Sequence, residues 1–281
     1  MAVEAVKLDA PAGVEIRGVD LAQPIDDDTF AIIQRAFDMH GVAVFRDQQI
    51  TPEQQVAFSA RFGEVEINHN GAKFGLEGNP EIYLISNIVE DGRPIGTPRA
   101  GPRWHSDMCY AKRPARATML FAVEVPELYG LPLGDTAFAN AAAAWDALPG
   151  DMQRRIERLR AVFDFRGRKR GRPISEETIA QYPPVEHPMV RRHPNTGRKS
   201  LYVMRDDCTG VPGMEAGEAR TLIDALADHI VRPEFVYRHR WRKGDLVVWD
   251  NCTVQHRAVI DYDLPQRRLM WRTTVKGDVP H

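Results

Sequence analysis

The chain has little to support a disulfide framework, a zinc knuckle or a membrane anchor. Its 281 residues include three cysteines, Cys109, Cys208 and Cys252, an odd number with no CxxC pair. That pattern suits a reducing compartment. No stretch approaches the roughly 18 uninterrupted apolar residues needed to span a bilayer. Neither sign of charge is in excess: 37 basic and 39 acidic residues leave a net charge of −2. This balance argues against a general binder of nucleic acid or of an anionic membrane. The opening MAVEAVKLDAPAGVEIRG shows no basic segment followed by an apolar run, so no signal peptide and a cytoplasmic location are expected. There is also no internal repeat and no low-complexity linker.

What is present is ordinary in bulk: 43% hydrophobic and 27% charged residues, in a chain long enough to bury a sizeable core. The element pattern is more informative. Val14–Val19 reads as a short strand. Asp26–His40 reads as a helix, with acidic residues at its start and Gly41 after its end. Val42–Phe45 is a buried strand. Thr51-Pro52-Glu53-Gln54 opens a helix with a capping box and runs to about Phe62. Further strands are expected at Glu81–Ser86, Ala117–Val125, Thr136–Phe138, Ala161–Phe165, Leu201–Met204, Phe235–Trp241, Asp245–Trp249 and Arg268–Val275. Asn140 caps a helix in the alanine run, another helix spans about Asp151–Leu159, and Glu215–Ile230 is amphipathic. Glu90–Arg103, rich in Gly, Pro and Arg, is a loop that leads directly to His105. Many short strands with helices around them predict a mainly β fold with flanking helices, a β-sandwich or jelly roll, in a single domain over 1–281.

The chemistry centres on Trp104-His105-Ser106-Asp107. If this piece is a strand, His105 and Asp107 project from one face, because side chains alternate with period 2. A second histidine, His256, follows the apolar run Leu246–Trp249 and its polar exit Asp250-Asn251. Two histidines and one carboxylate with open positions describe the facial triad of non-heme Fe(II) oxygenases. Taken singly, each residue has a blander reading: H-x-D triplets arise by chance, and most of the nine histidines of such a chain are surface or structural. Alternation from Arg268 places Met270 and Arg272 on its face, so two arginine forks can meet two anionic groups. The blander reading is that both make surface salt bridges.

Taken together, the motifs resemble those of the Fe(II)/2-oxoglutarate-dependent dioxygenases of the taurine dioxygenase and 2,4-dichlorophenoxyacetate dioxygenase group. The resemblance runs through Gly18–Leu21, Phe45–Gln48, Ile50–Pro52, Ala60–Gly63, Trp104–Asp107, Gly134–Thr136, Phe163–Arg166, Trp249–Asn251, Gln255-His256, Asp261-Tyr262 and Gln266–Arg268. It implies a double-stranded β-helix, a cupin-like jelly roll. It implies that His105, Asp107 and His256 hold Fe(II), that Arg268 and Thr136 receive the distal carboxylate of 2-oxoglutarate, and that O2 is the co-substrate. Arg272 would face the anionic group of a small organic substrate, and Phe165 would wall its pocket. Arg205, after Leu201–Met204, is a further candidate anion contact, with a surface arginine as its plainer reading. A homo-oligomer, dimer or tetramer, is implied as well.

The chain also departs from the taurine-specific pattern. In Ala72–Gly78, Gly75 stands where those enzymes place a histidine, the connection Val125–Gly134 is longer, and one extra residue separates His256 from Arg268. The expected substrate is therefore a sulfonate, sulfate ester or aryloxyalkanoate rather than taurine itself. Alternatives are an inactive member that binds small anions, or a member giving desaturation or cyclisation. A halogenase is disfavoured because Asp107 is present. The segment 88–103 is expected to be an active-site loop and 166–186 a lid or surface excursion. The basic run Arg166–Arg172 is read as a solvated loop ahead of an anion funnel, and Cys109 as a core residue ahead of a pocket-lining one.

Overall fold

Strands Ala115–Glu124 and Leu246–Asp250 lie side by side inside a nine-stranded sheet and are buried along nearly their whole length. The structure is a computed structural model that describes residues 3–67, 71–168 and 175–281. The sheet runs in the order Glu4–Lys7, Val14–Arg17, Val42–Phe45, Leu246–Asp250, Ala115–Glu124, Leu269–Lys276, Asn79–Ser86 and Gly75–Leu76, with Val65–Glu66 also paired to Leu269–Lys276. Only Val14–Arg17 and Val42–Phe45 run parallel. The protein is thus mainly β with flanking helices, as expected.

Alternation along the strands sorts residues to two faces. Phe45, Met119, Phe121, Leu246, Val248 and Val275 share one apolar cluster with Ile33, Phe37 and Phe58 of the helices Asp27–His40 and Pro52–Ala60. Their neighbours Val44, Leu120, Val247, Trp249 and Met270 face the other way, towards Phe138 and Trp241. Phe138 belongs to a small sheet ordered Val236–His239, Thr136–Asn140, Val254–Ala258. The helices therefore cover one face of the large sheet and the small sheet covers the other. A third cluster joins the helix Ala216–Ile230, through Leu222, Ile223, Leu226 and Ile230, to Phe163, Tyr202 and Trp145.

The local signals behave as the sequence requires. Asp26 Oδ1 accepts from the Thr29 N–H at 2.7 Å, and Gly41, at φ 73°, donates its N–H to the Phe37 carbonyl at 2.8 Å. Thr51 and Gln54 form the reciprocal capping box. Asn140 Oδ1 accepts from the Ala143 N–H at 3.0 Å and caps the alanine helix.

Three expectations need correction. Trp104–Asp107 is not a strand: His105 makes a single bridge to His256, and Met108, at φ 56°, already turns the chain. Leu201–Met204 is a strand only over Lys199–Leu201, because the Val203 carbonyl is taken by the Gln255 side-chain amide at 2.8 Å. Val254–Ala258, which carries His256, was not expected as a strand. Its residues Val-Gln-His-Arg-Ala give no apolar alternation, and pairing with Thr136–Asn140 organises it instead. The longer connection after Val125 folds into a hairpin, Glu127–Leu128 against Leu131–Pro132, with Tyr129 fully out in solvent. Among the described residues, no helix is long and apolar enough to cross a membrane.

Arg116 bridges the layers from within. Its guanidinium donates to Asp250 and, at 2.5 Å, to Asp38, while His193 Nε2 lies 3.0 Å from Asp250. Burial opposes ionisation of Asp250, but Arg116 and then His193 outweigh it and hold that carboxyl well below its ordinary range. Arg116→Met should cost about 3–5 kcal/mol, since it strands buried carboxylates. In the native chain this contribution is complete above the unfolded carboxyl value of about 4 and is lost as pH falls below it. Urea denaturation between pH 3 and 7 checks both points; a loss under about 1 kcal/mol at pH 7 would mean that the cluster is not cooperative.

Candidate active site

His105 and His256 exchange backbone hydrogen bonds, N to O at 3.0 and 2.8 Å, and this one bridge sets their rings 4.2 Å apart between centroids. Asp107 completes the group. Its Oδ1 lies 3.5 Å from His105 Nε2 and its Oδ2 3.7 Å from His256 Nε2. All three residues are buried, and their ligand atoms lie within 4.8 Å of one another.

Asp107 does not depend on strand geometry for its position. Its N–H donates to Asn251 Oδ1 at 2.9 Å, and Ser106 Oγ donates to the Asn251 carbonyl at 2.9 Å. Asn251 Nδ2 donates to Thr118 Oγ1 at 3.0 Å, and Thr118 Oγ1 donates to Asp107 Oδ2 at 2.7 Å. Asn251 thus ties the ligand turn to the end of Leu246–Asp250, and Thr118 ties it to Ala115–Glu124.

Protonation suits a metal. His105 Nδ1 is 2.8 Å from the Arg103 carbonyl, which can only accept, so Nδ1 carries a proton and Nε2 is the nitrogen on the Asp107 side. Burial, then the neighbouring His105, push His256 well below its ordinary pKa against the pull of Asp107, so it is neutral near pH 7. Burial alone would raise Asp107, but Arg272, then His256 and His105, hold it well below the usual carboxylate range. Arg272 Nη2 stands 2.9 Å from Asp107 Oδ1.

The cavity beside the triad is lined by Ile85, Leu120 and Trp249, and by Thr136, Arg268 and Arg272. Arg268 is buried, its Nε has no hydrogen-bond partner, and among the described residues no carboxylate pairs with it. The Tyr262 ring lies 5.6 Å from its guanidinium. Thr136 Oγ1 accepts from the Trp241 indole N–H at 3.0 Å, which leaves its own proton free to donate. Ala100 and Gly101 also line the cavity. The Gly101 carbonyl accepts from the Ala258 N–H at 2.7 Å, and a Cβ at Gly101 would meet His105 Cε1 at 2.9 Å. Only glycine lets the loop lie this close to the ligand.

Other expected residues lie elsewhere. Arg205 does not reach the cavity: the helix Ala216–Ile230 presents Asp224, at 2.8 Å, and Asp228 to its guanidinium. Phe165 is buried in a short 3-10 turn, its ring 4.6 Å from Tyr110 and 5.6 Å from Tyr182, and it is not part of the cavity lining. Cys109 is fully buried beside Arg168 and is a core residue. Of the basic run, Arg166 pairs with Asp164 and Arg168 with Asp207; the rest, 169–172, lies outside the described residues. Gly75 pairs with Tyr83 at the sheet edge.

The family model described as Taurine catabolism dioxygenase TauD, TfdA family matches residues 4–274. The chain belongs to this family. It is 37% identical over 282 residues to the alpha-ketoglutarate-dependent 2,4-dichlorophenoxyacetate dioxygenase of Cupriavidus pinatubonensis, covering 95% of this chain and 94% of that one. It is 31% identical over 286 residues to the alpha-ketoglutarate-dependent sulfate ester dioxygenase of Pseudomonas putida, covering 95% and 87%. A crystal structure of a taurine dioxygenase from Burkholderia xenovorans superposes with a TM-score of 0.83 at 35% identity, covering all of this chain and 91% of that one. This TauD/TfdA-family chain is a 2-oxoglutarate-dependent dioxygenase; its cofactors are Fe(II) and 2-oxoglutarate, and O2 is its co-substrate.

The residues present fit these groups. Two imidazoles and an ionised carboxylate suit Fe(II), and a buried guanidinium that meets no carboxylate among the described residues suits one. Reasoning from sequence missed Thr118 and Trp241, which touch site residues through the fold alone. The role of Asn251 was hinted at only by its place in the Trp249-Asp250-Asn251 motif. Asn251→Ala should weaken binding of Co(II) to the apo protein by roughly 10–100-fold, as loss of a supporting hydrogen bond does in metal sites. Calorimetric titration measures it, and an unchanged affinity would show that Thr118 alone holds Asp107.

Proposed function

We propose that this dioxygenase hydroxylates a small anionic organic substrate, a sulfonate, sulfate ester or aryloxyalkanoate, with succinate and CO2 as co-products. The observation that carries this reading is the pair of guanidiniums, Arg268 and Arg272, that face one cavity with His105 and His256. Charge in the cavity decides the sign of the substrate. Fe(II) and 2-oxoglutarate cancel each other, Asp107 cancels one arginine, and one positive charge is left over. A monoanion balances it. The two curated relatives above are named for an aryloxyacetate and for sulfate esters, both anions.

In this reading His105, Asp107 and His256 hold the metal, and Arg268 with the Thr136 hydroxyl receives the distal carboxylate of 2-oxoglutarate. Bound Fe(II) and 2-oxoglutarate supply O2 activation, driven by oxidative decarboxylation. The chain supplies placement. Arg272 grips the substrate anion and so sets which C–H faces the metal. Ile85, Leu120 and Trp249 keep water out. Phe165 packs on Tyr110 and Tyr182 outside this cavity and is given no substrate contact. The loop 88–103 covers the site through Gly101, and the whole chain acts as one catalytic domain. We read the facing large and small sheets as a double-stranded β-helix.

Succinate release from 2-oxoglutarate, with Fe(II), ascorbate and air, across alkylsulfonates, alkyl sulfates, both enantiomers of aryloxypropionates and amino acids tests this function. Stimulation confined to uncharged compounds would overturn it. Asp107→Ala should abolish iron-dependent succinate, and normal turnover would remove Asp107 from the triad. Arg268→Ala should raise the KM for 2-oxoglutarate by roughly 30–5000-fold, the equivalent of ~2–5 kcal/mol for half of a buried charge pair. A KM within a few-fold of the native value would assign that carboxylate to another group.

A further inference from the structure

A threonine hydroxyl can give or take a hydrogen bond, and what holds its oxygen decides which of the two it offers a ligand. Thr136 lines the cavity beside Arg268. Behind it stands Trp241, which is fully buried and does not itself line the cavity. The indole N–H can only donate, and it lies 3.0 Å from Thr136 Oγ1. The hydroxyl proton cannot point back at another donor. Among the described residues no hydrogen bond takes up that proton. The cavity therefore presents a hydroxyl proton and a guanidinium side by side, and an acceptor-only group such as a carboxylate answers both.

Trp241 owes its position to a buried carboxylate. It follows the strand Val236–His239 and enters a tight turn in which the Asp245 N–H donates to the Arg242 carbonyl at 3.1 Å. Asp245 Oδ2 accepts from the Arg242 N–H at 2.8 Å, and His239 Nε2 lies 3.1 Å from the same oxygen. Arg46 pairs with that carboxylate at 2.5 Å. Tyr237 Oη, 2.9 Å from Nδ1, engages the other side of the His239 ring. His239 then meets the Trp241 ring edge to face, at 4.6 Å between centroids and 81° between planes. At the turn, Gly244 has φ 83°, and a Cβ there would stand 2.9 Å from the Gln48 carbonyl oxygen. Gly244 also exchanges backbone hydrogen bonds with Gln48 and Ala122 of the large sheet. The direction of one indole N–H is thus fixed by groups on both sheets.

We propose that Trp241 is a positioning residue for 2-oxoglutarate, whose indole N–H makes the Thr136 hydroxyl an obligate donor towards the distal carboxylate. This rests on the reading that Thr136 and Arg268 receive that carboxylate. Trp241 touches neither the metal ligands nor the cavity, so it acts on the affinity for the 2-oxo acid through Thr136. It favours an acid that ends in a carboxylate over one that ends in a methyl group.

Anaerobic calorimetry on the Fe(II)-loaded protein tests this with 2-oxoglutarate and with 2-oxopentanoate, the same chain without the distal carboxylate. Trp241→Phe keeps an aromatic ring and removes the N–H. It should weaken 2-oxoglutarate roughly 3–10-fold, the scale of one hydrogen bond, and leave the behaviour of 2-oxopentanoate unchanged. In a Thr136→Val background it should weaken 2-oxoglutarate no further, because the two residues act as a unit. An unchanged affinity for 2-oxoglutarate overturns the proposal. An equal loss with Thr136→Val already present also overturns it, since a merely structural role gives that result. If Trp241→Phe does not fold, site-specific replacement of Trp241 by its benzothiophene analogue, which keeps the fused ring and lacks only the N–H, carries the same comparisons. Arg268→Ala separates the two readings. If it leaves 2-oxoglutarate affinity unchanged, the carboxylate reading fails and the proposal with it; if it weakens binding while Trp241→Phe does not, the proposal alone fails.

Discussion

A charge buried in the protein interior must be compensated, and in this fold that charge is Asp107. Its carboxylate is shielded from water, yet it stays ionised because Arg272 lies 2.9 Å away and Thr118 donates to its other oxygen. Each partner comes from a different central strand. Asn251, at the end of a third, fixes the backbone of Asp107 itself. The ligand turn is irregular, but it is held by the most regular part of the molecule. This is how a site on a turn can be as well positioned as one on a strand.

The strand Leu269–Lys276 shows how two tasks share one segment. On the helix side Thr273 Oγ1 lies 2.7 Å from Ser59 Oγ, and Val275 packs with Phe37 and Phe58. On the other side Arg272 and Thr274 face the metal ligands. A period of 2 lets the strand anchor helices with one set of side chains and present charge with the other. The buried cluster of Arg116, Asp38, Asp250 and His193 sits one residue from Asn251 and secures the end of the strand on which Asn251 depends.

Much of this was legible in the sequence, for identifiable reasons. Helix caps are local chemistry, so Asp26, Thr51 and Asn140 could be read directly. Fully apolar runs such as Val42–Phe45 declared their burial. The triad residues could be named from their types and from the motifs around them. Tertiary exchange of partners could not be read. Val254–Ala258 has no apolar alternation and becomes a strand only because Thr136–Asn140 pairs with it. Leu201–Met204 looks like a strand but yields a carbonyl to Gln255. Arg205 looked like an anion contact because it follows Leu201–Met204; Asp224 and Asp228 engage it instead from a helix that begins eleven residues further on.

The bridge between His105 and His256 also bears on thermodynamics. The ligands lie on segments far apart in the chain and come together only when the two sheets have formed, so the unfolded chain offers no comparable site. Metal binding is then linked to folding: each tenfold excess of free metal over its dissociation constant adds about 1.4 kcal/mol to the stability of the whole fold. With the ion held by His105, Asp107 and His256 as proposed, the melting temperature would be a function of metal activity, and the ion would also be a structural clasp between two layers.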